Sequence, residues 1–155
     1  MTVRAGWAGL CGAIAVAMCC TACADPVDEL RAAATAGVRD IAEKALRRFQ
    51  ESPTPTRESI TRATDENLLN NPDQATILVK EIPESGYFNA DFAFLALAGN
   101  GYSGEYVQVA VRLCVSYVGE LGRPGSIRMM DRSCPAGLPG PTNGTPVDRD
   151  VTLIG

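Results

Sequence analysis

The residues from Glu105 to Val118 alternate between apolar and more polar side chains more regularly than any other part of the chain. Successive side chains of a β-strand point to opposite faces of a sheet, so this period of two predicts a strand with one apolar face. A strand of this kind needs a second layer to cover that face, and this requirement constrains the rest of the fold. The apolar face carries Val107, Val109, Val111, Leu113, Val115 and Tyr117, and the other carries Tyr106, Gln108, Ala110, Arg112, Cys114 and Ser116.

An amphipathic helix near the start of the chain is the candidate for that second layer. Asp25 and Pro26 are residue types favoured at the cap and at the first position of a helix, and Ser52-Pro53-Thr54-Pro55 ends it. We expect its apolar stripe to pack on the valine-bearing face of the strand. The stripe consists of Val27, Leu30, Ala34, Val38, Ile41, Ala45 and Phe49.

Three further strands are predicted beside the first one. Gln74 to Ile82 is rich in β-branched residues and ends at Pro83. Tyr87 to Ala98 carries phenylalanines on one face, and both of its faces are apolar beyond Phe94, which indicates burial on both sides. Ser126 to Arg132 is the last of the three.

The remaining segments give weaker patterns. Glu51 to Ser59 is predicted to be an extended linker of proline, threonine and charged residues, and Ser59 to Thr64 fits either an edge strand or a helical turn. The Pro/Gly-rich residues 135–155 are predicted to be irregular, with Val147 to Ile154 as an alternative edge strand. The whole predicts an α+β fold, in which one long N-terminal helix packs on an antiparallel sheet of about four strands, similar to a cystatin-type roll.

Two of the six cysteines lie in the predicted sheet region, and we expect Cys114 and Cys134 to form a disulfide that contributes about 3 kcal/mol. An antiparallel hairpin that turns near Gly122 pairs Cys114 with about Met130. Cys134 is therefore reached only through a bulge, a shifted turn or a fold-back after Ser133. A redox-active pair is disfavoured because the C-x-x-C spacing is missing.

The N-terminal segment has the pattern of an export signal. Arg4 is followed by an uncharged stretch from Ala5 to Met18, which is too short to span a bilayer. Thr21-Ala22-Cys23 resembles the lipobox of bacterial membrane lipoproteins, whereas Ala22-Cys23-Ala24 equally fits an A-x-A site with cleavage before Asp25. The resemblance implies removal of residues 1–22, a lipid on Cys23, and attachment to the outer face of a membrane. The A-x-A alternative implies a secreted protein.

Removal of residues 1–22 leaves 133 residues, which is the size of one domain, here predicted over residues 23–134 with the segment 135–155 after it. The complete chain has 14 Lys and Arg against 18 Asp and Glu. An acidic surface without clustered cations argues against nucleic acid as a partner.

The sequence contains no histidine, which excludes Ser-His-Asp and Cys-His catalysis and histidine-ligated zinc. The glycines from Gly99 to Gly104 spell G-x-G-x-x-G, but the alternating residues after them predict a hairpin loop and not a nucleotide-binding turn. Asp148 and Asp150 alone are a weak calcium signal. We expect no cofactor and no metal.

Two groups of residues are candidates for function. Asp91 and Glu105 flank the central hairpin and could form the carboxylate pair of a glycosidase. Tyr87, Tyr102 and Tyr106 could cluster near its turn and offer a stacking surface to a peptide or glycan. The leading hypothesis is a non-enzymatic binding or accessory protein, tethered to the membrane, with an envelope protein or glycan as its partner. The alternative is a secreted carboxylate-dependent hydrolase that acts on envelope glycans.

Overall fold

Helix α1 (Pro26–Gln50) lies along one face of a sheet, as the apolar stripe predicts. The computed structural model describes residues 25–102 and 105–154, except for the side chains of Tyr102 and Glu105. The side chain of Asp25 caps the helix by accepting a hydrogen bond of 3.0 Å from the backbone N–H of Val27. The helix buries Ala34, Val38, Ala42, Ala45 and Phe49.

Helix α2 (Arg57–Asn70) resolves the segment for which the sequence left two alternatives. A capping box starts it: the Thr56 hydroxyl accepts from the backbone N–H of Ser59 at 3.1 Å, and the Ser59 hydroxyl accepts from the backbone N–H of Thr56 at 2.9 Å. The predicted linker from Glu51 to Ser59 is therefore too long, because its last three residues are already helical. The helix buries Ile60, Ala63, Thr64 and Asn67.

Within residues 25–102 and 105–154 the sheet has five strands, and the predicted α+β class is confirmed. Strands β1 to β4 are antiparallel neighbours in chain order, whereas β5 pairs in parallel with β3. The mixed sheet and the second helix are the two departures from the predicted layout. The strands are β1 (Ala75–Glu81), β2 (Tyr87–Tyr102), β3 (Glu105–Glu120), β4 (Arg128–Asp131) and β5 (Val147–Val151).

Strand β3 is the centre of the sheet. Its whole length pairs with β2, from Tyr102 opposite Glu105 to Tyr87 opposite Glu120. Its other edge is divided between β4, which covers residues 115–118, and β5, which covers residues 110–113. The folded unit therefore extends beyond Cys134, because β5 adds the alternative edge strand to the sheet.

The core lies between α1 and the inner face of the sheet. The rings of Phe49 and Tyr117 lie 4.7 Å apart between their centroids, and Phe92 and Phe94 stack at 5.5 Å. Each of these four side chains is essentially inaccessible to solvent. The predicted packing of the helix stripe on the valine-bearing face is thus confirmed.

The direction in which α1 runs along the sheet distinguishes two ends of the domain. Near its middle Gly37 lies against Ala96, with 3.5 Å between the Ala96 Cβ and the position of a Cβ added to the glycine. Near its C-terminal end Phe49 lies beside Phe88, with the ring centroids 6.4 Å apart. The helix therefore begins at the end of the sheet where β2 turns into β3, here called the hairpin end, and finishes at the far end, near Tyr87.

Candidate functional site

The centre of the outer sheet face, the one turned away from α1, is covered by residues 135–146. Arg112 reaches out of β3 and its Nη2 donates to the carbonyl oxygens of Leu138 at 3.3 Å and Pro139 at 2.8 Å. The Asn143 amide donates to the side-chain oxygen of Gln108 at 2.6 Å. The segment has no helix or strand, and these side chains fix it on the sheet.

The predicted disulfide between Cys114 and Cys134 is confirmed. A shifted turn brings the two residues together, since β4 pairs Met130 with Ser116 and not with Cys114. The backbone N–H of Arg132 then donates to the carbonyl oxygen of Cys114 at 3.0 Å, and the chain folds back to place Cys134 over the outer face. The bond therefore fixes the start of the covering segment.

Asp91 lies on the outer face and is completely buried. Arg132 forms an ion pair with it through Nη1 and Oδ2. Neither carboxylate oxygen of Asp91 has a hydrogen bond of normal geometry from the described residues. Arg132 is thus the group that compensates the charge of this acid.

The structure does not bring the predicted carboxylate pair together. Asp91 lies opposite Ser116, whereas Glu105 lies opposite Tyr102. Ser116 and Glu105 are eleven positions apart along β3, which is about 36 Å along an extended strand. Carboxyl groups that act on one glycosidic bond lie about 5–10 Å apart. The two acids therefore do not form the pair that the alternative hypothesis requires, because the continuous register of β2 and β3 keeps their positions apart.

The predicted tyrosine cluster is also divided. Tyr87 pairs with Glu120 at the far end, whereas Tyr106 pairs with Gly101 at the hairpin end. The Tyr106 ring covers a glycine on the neighbouring strand, because a Cβ added to Gly99 would lie 2.6 Å from the tyrosine hydroxyl. Tyr102 is the last residue of β2, at the hairpin end, and its side chain is outside the described part of the structure.

The two aspartates of the weak calcium signal, Asp148 and Asp150, each lie beside an arginine. Arg31 donates to both carboxylate oxygens of Asp148, at 2.9 and 3.1 Å, and this hydrogen bonding lowers the pKa of Asp148. Asp150 lies 4.0 Å from the guanidinium of Arg112. Within the described residues, no three His, Cys, Asp or Glu side chains lie close enough together to hold a metal ion.

The glycine motif at the hairpin end is followed by a strand, as the alternation predicts. β3 begins at Glu105, immediately after Gly104, so the motif has no helix start to offer to a phosphate. Across residues 25–102 and 105–154, the structure contains no helix that is both long and apolar enough to cross a membrane.

The best candidate for a binding site is a cleft of about 380 Å³ at the far end of the outer face, here called the Tyr87 cleft. Tyr87 is 73% exposed and Met130 is 53% exposed, so the cleft offers an aromatic and a thioether side chain to a partner. Arg123 and Arg128 supply two positive charges, and Glu120, 3.2 Å from Arg123, compensates one of them. The other lining residues are Val118, Gly119, Pro124, Gly125 and Ser126.

The wall of the Tyr87 cleft is the loop between β3 and β4, and it is held by hydrogen bonds. The Ser126 hydroxyl accepts from the backbone N–H of Glu120 and donates to its carbonyl oxygen, each at 3.0 Å. The N–H of Gly122 donates to the carbonyl of Pro55 at 2.7 Å, and that of Leu121 donates to Gly86 at 2.8 Å. The cleft is therefore preformed.

Two other openings are less suited to a partner. A cleft of about 310 Å³ lies over Leu95 and Leu97, between residues 70–74 and 141–143, and Asp73 is the charged residue among its described lining residues. A larger opening of about 680 Å³ lies on the outer surface of α2. All of its described lining residues come from that one helix, so it has no second wall among them.

Arg123, Arg128 and Met130 were not expected to be functional. The alternation of the predicted strand from Ser126 to Arg132 does place Arg128 and Met130 on the outer face, opposite to Ile127 and Met129. That alternation was the available signal. Family models, curated proteins and solved structures give no match to this chain. Its function is therefore inferred from its own residues.

Proposed function

We propose that this chain is an exported, lipid-tethered protein of a bacterial cell envelope, with a binding or accessory role and no catalytic activity. The observation that carries the proposal is the disulfide between Cys114 and Cys134. Disulfides persist in oxidising compartments outside the cytosol. The bond therefore agrees with the export signal that the residues from Arg4 to Cys23 resemble.

Cys23 is the proposed site of the lipid. Two or three acyl chains, at about 0.8 kcal/mol per buried CH₂, anchor a protein stably, whereas one chain binds only marginally. Cys23 lies outside the described residues. The helix that it precedes begins at Pro26, three residues later, so the tether between the lipid and the folded domain is short.

The Tyr87 cleft is the proposed surface for the partner. The anchor precedes α1 at the hairpin end, and the cleft lies at the far end of the sheet. A helix of 25 residues is about 37 Å long, so the cleft is held well away from the membrane. Tyrosine, methionine and arginine are enriched in protein interfaces, and the excess positive charge suits an anionic group on an envelope protein or glycan.

Two observations favour binding over hydrolysis. Asp91 and Glu105 lie at opposite parts of the central hairpin, and Asp91 is engaged by Arg132. The sequence also lacks histidine, the commonest general base of hydrolytic enzymes.

The tether is tested by expressing the chain and a Cys23→Ala variant in a bacterial host, followed by membrane fractionation and intact mass analysis. We expect the unaltered protein in the membrane fraction with a diacylglyceryl mass increment on Cys23, and the variant outside that fraction. A soluble protein that starts at Asp25 would contradict the lipid anchor and would identify ordinary secretion. Retention of the variant in the membrane would also contradict it.

The binding surface is tested by placing a photo-crosslinking amino acid at position 87 in living cells. Position 69 is the matched control, because Leu69 is 78% exposed and lies on α2, away from the cleft. We expect a discrete adduct from position 87, abolished by Arg128→Glu, and none from position 69. Equal adducts from both positions would argue against the cleft.

A further inference from the structure

The hairpin end of the sheet extends beyond the strands that flank it. β1 first pairs with β2 at Phe94, and β5 first pairs with β3 at Ala110. Beyond these positions β2 and β3 pair with each other alone among the described elements. Among the described side chains of this projection, three large apolar ones are exposed, namely Leu97 at 38%, Tyr106 at 69% and Val107 at 42%.

The projection is nearly free of charge. Between Phe92 and Val111 the only ionisable acid or base with a charge at neutral pH is Glu105. Leu97 and Tyr106 lie on the outer face, whereas Val107 lies on the inner face beside Asn100. The hairpin therefore presents apolar groups on both of its faces, with no cationic residue to attract an anionic protein or nucleic acid.

The tether and the projection lie at the same end of the domain. From the contact of Gly37 with Ala96, α1 extends eleven residues back to Pro26, which is about 16 Å. From Ala96 the hairpin extends six residues to Tyr102, which is about 20 Å in the same direction. The three Cα–Cα steps from Cys23 to Pro26 span at most about 11 Å.

We propose that the hairpin end rests on the lipid bilayer, with Leu97, Tyr106 and Val107 in its interfacial region. This inference rests on the proposed lipid anchor at Cys23. A lipid on that residue holds the start of α1 close to the headgroups, and the hairpin then reaches the same surface. Tyrosine suits this position, because its ring is apolar and its hydroxyl remains hydrated.

The contact is apolar and depends on the tether. Three side chains of this size are too few to hold a free domain on a membrane, but the tether makes the contact intramolecular and raises its effective concentration. Asp25, Asp28 and Glu29 at the start of α1 give this end a negative charge. We therefore expect the contact to form on neutral lipids without any anionic lipid.

The test uses tryptophan fluorescence. The only tryptophan of the chain is Trp7, so a protein that starts at Cys23 has none. Tyr106→Trp and Tyr87→Trp then report on the hairpin end and on the far end. The two tyrosines are a matched pair, with 69% and 73% exposure. Val107→Trp serves as a second probe of the hairpin.

The protein is attached to phosphatidylcholine vesicles by coupling the Cys23 thiol to a maleimide phospholipid, since Cys114 and Cys134 are joined to each other. Quenching by lipids brominated in their acyl chains is measured. We expect the Tyr106→Trp and Val107→Trp variants to be quenched and blue-shifted, and the Tyr87→Trp variant to be unaffected. Without coupling, none of the three should change.

Equal quenching of all three variants, or no quenching of any of them, would overturn the bilayer contact. A blue shift that grows with the density of coupled protein, without quenching, would identify a second copy of the chain as the occupant. Chemical coupling makes the result independent of lipidation in the cell. An absent lipid in cells therefore contradicts the proposed function, whereas absent quenching contradicts the hairpin contact.

Discussion

The hydroxyl of Tyr117 donates a hydrogen bond of 2.8 Å to the carbonyl oxygen of Ala42, and so joins the C-terminal part of β3 to the second half of α1. Both residues are completely buried. The Tyr117 ring also packs on Phe49, so this tyrosine contributes both apolar contact and a specific polar link between the two layers. Burial raises the pKa of its hydroxyl far above the ordinary value.

Tyr117→Phe should lower the free energy of unfolding by about 1 kcal/mol, because it removes one buried hydrogen bond and leaves the ring. The Ala42 carbonyl keeps its place in the helical hydrogen-bond ladder, which limits the loss. Urea unfolding at pH 7 measures the change. Tyr87→Phe is the control and should have no effect, since that side chain is exposed.

The same tyrosine should make the protein sensitive to alkali. In the unfolded chain its pKa is about 10, and in the folded chain it is higher, so above pH 10 the folded state binds more protons than the unfolded state. Stability then falls as pH rises, by about 1.4 kcal/mol per pH unit from this group. Unfolding curves between pH 9 and pH 11.5 should show this slope in the unaltered protein and a smaller one in Tyr117→Phe. Identical slopes in the two proteins would show that Tyr117 is not the group responsible for the loss of stability.

Two glycines of the central hairpin should respond differently to replacement by alanine. At both positions an added Cβ would lie at a similar, very short distance from its nearest neighbouring atom. At Gly119 it would lie 2.7 Å from Phe88 Cε1 and 3.2 Å from the backbone Cα of Ile127, both inside the core. At Gly99 it would lie 2.6 Å from the hydroxyl of Tyr106, which is free to move. We expect Gly119→Ala to cost about 1–3 kcal/mol and Gly99→Ala to change stability by less than about 0.5 kcal/mol. Thermal unfolding of the two variants compares them, and equal losses would refute the difference.

Removal of Arg132 should leave an uncompensated charge at Asp91. Breaking a buried ion pair costs about 3–5 kcal/mol, and we expect about 2–3 kcal/mol for Arg132→Ala because the arginine side chain is 36% exposed. Adding Asp91→Asn to that variant should restore part of the loss, since the second substitution removes the buried charge. A double variant less stable than Arg132→Ala would show that the ion pair does not have this role.

Loss of the disulfide should affect the covering segment before the rest of the domain. The bond closes a loop with a sequence separation of 20, and its removal in Cys114→Ala/Cys134→Ala should cost about 3 kcal/mol. Hydrogen exchange should then rise first in the covering segment, residues 135–146, and in β5 after it, because the bond fixes the start of that segment. Uniform loss of protection in α1 and β5 would contradict this order. Reductant added to the unaltered protein should reproduce the result, and it should have no effect on the double variant.

The sequence predicted the elements whose pattern is local. The three- and four-residue spacing of α1 and the alternation of β3 are periodic over many residues, and both elements formed where they were expected. The sequence pattern does not distinguish a helix from an edge strand at α2, because two of the four residues that this helix buries, Thr64 and Asn67, are polar. Its capping box uses Ser59 at a position where glutamate or glutamine is the usual sign.

The features that were missed are contacts between distant parts of the chain. Alternation placed Asp91 and Arg112 on the more polar face, but it could not show that Arg132 and residues 138–139 bury them. The Pro/Gly-rich covering segment has no period from which a contact could be read. The separation of Tyr87 from the other two tyrosines could have been predicted from the sequence. Along one strand, the rise per residue places Tyr87 about 50 Å from Tyr102.

The long pairing of β2 with β3 determines how the domain would respond to a pulling force. With the proposed lipid on Cys23 and the proposed partner in the Tyr87 cleft, tension enters through α1 and runs parallel to the two strands. Their hydrogen bonds lie perpendicular to that direction over sixteen paired positions. A load in that direction does not peel these bonds open one after another, as a load across the strands would. The hairpin is in this sense a stiff strut between the two proposed attachment points.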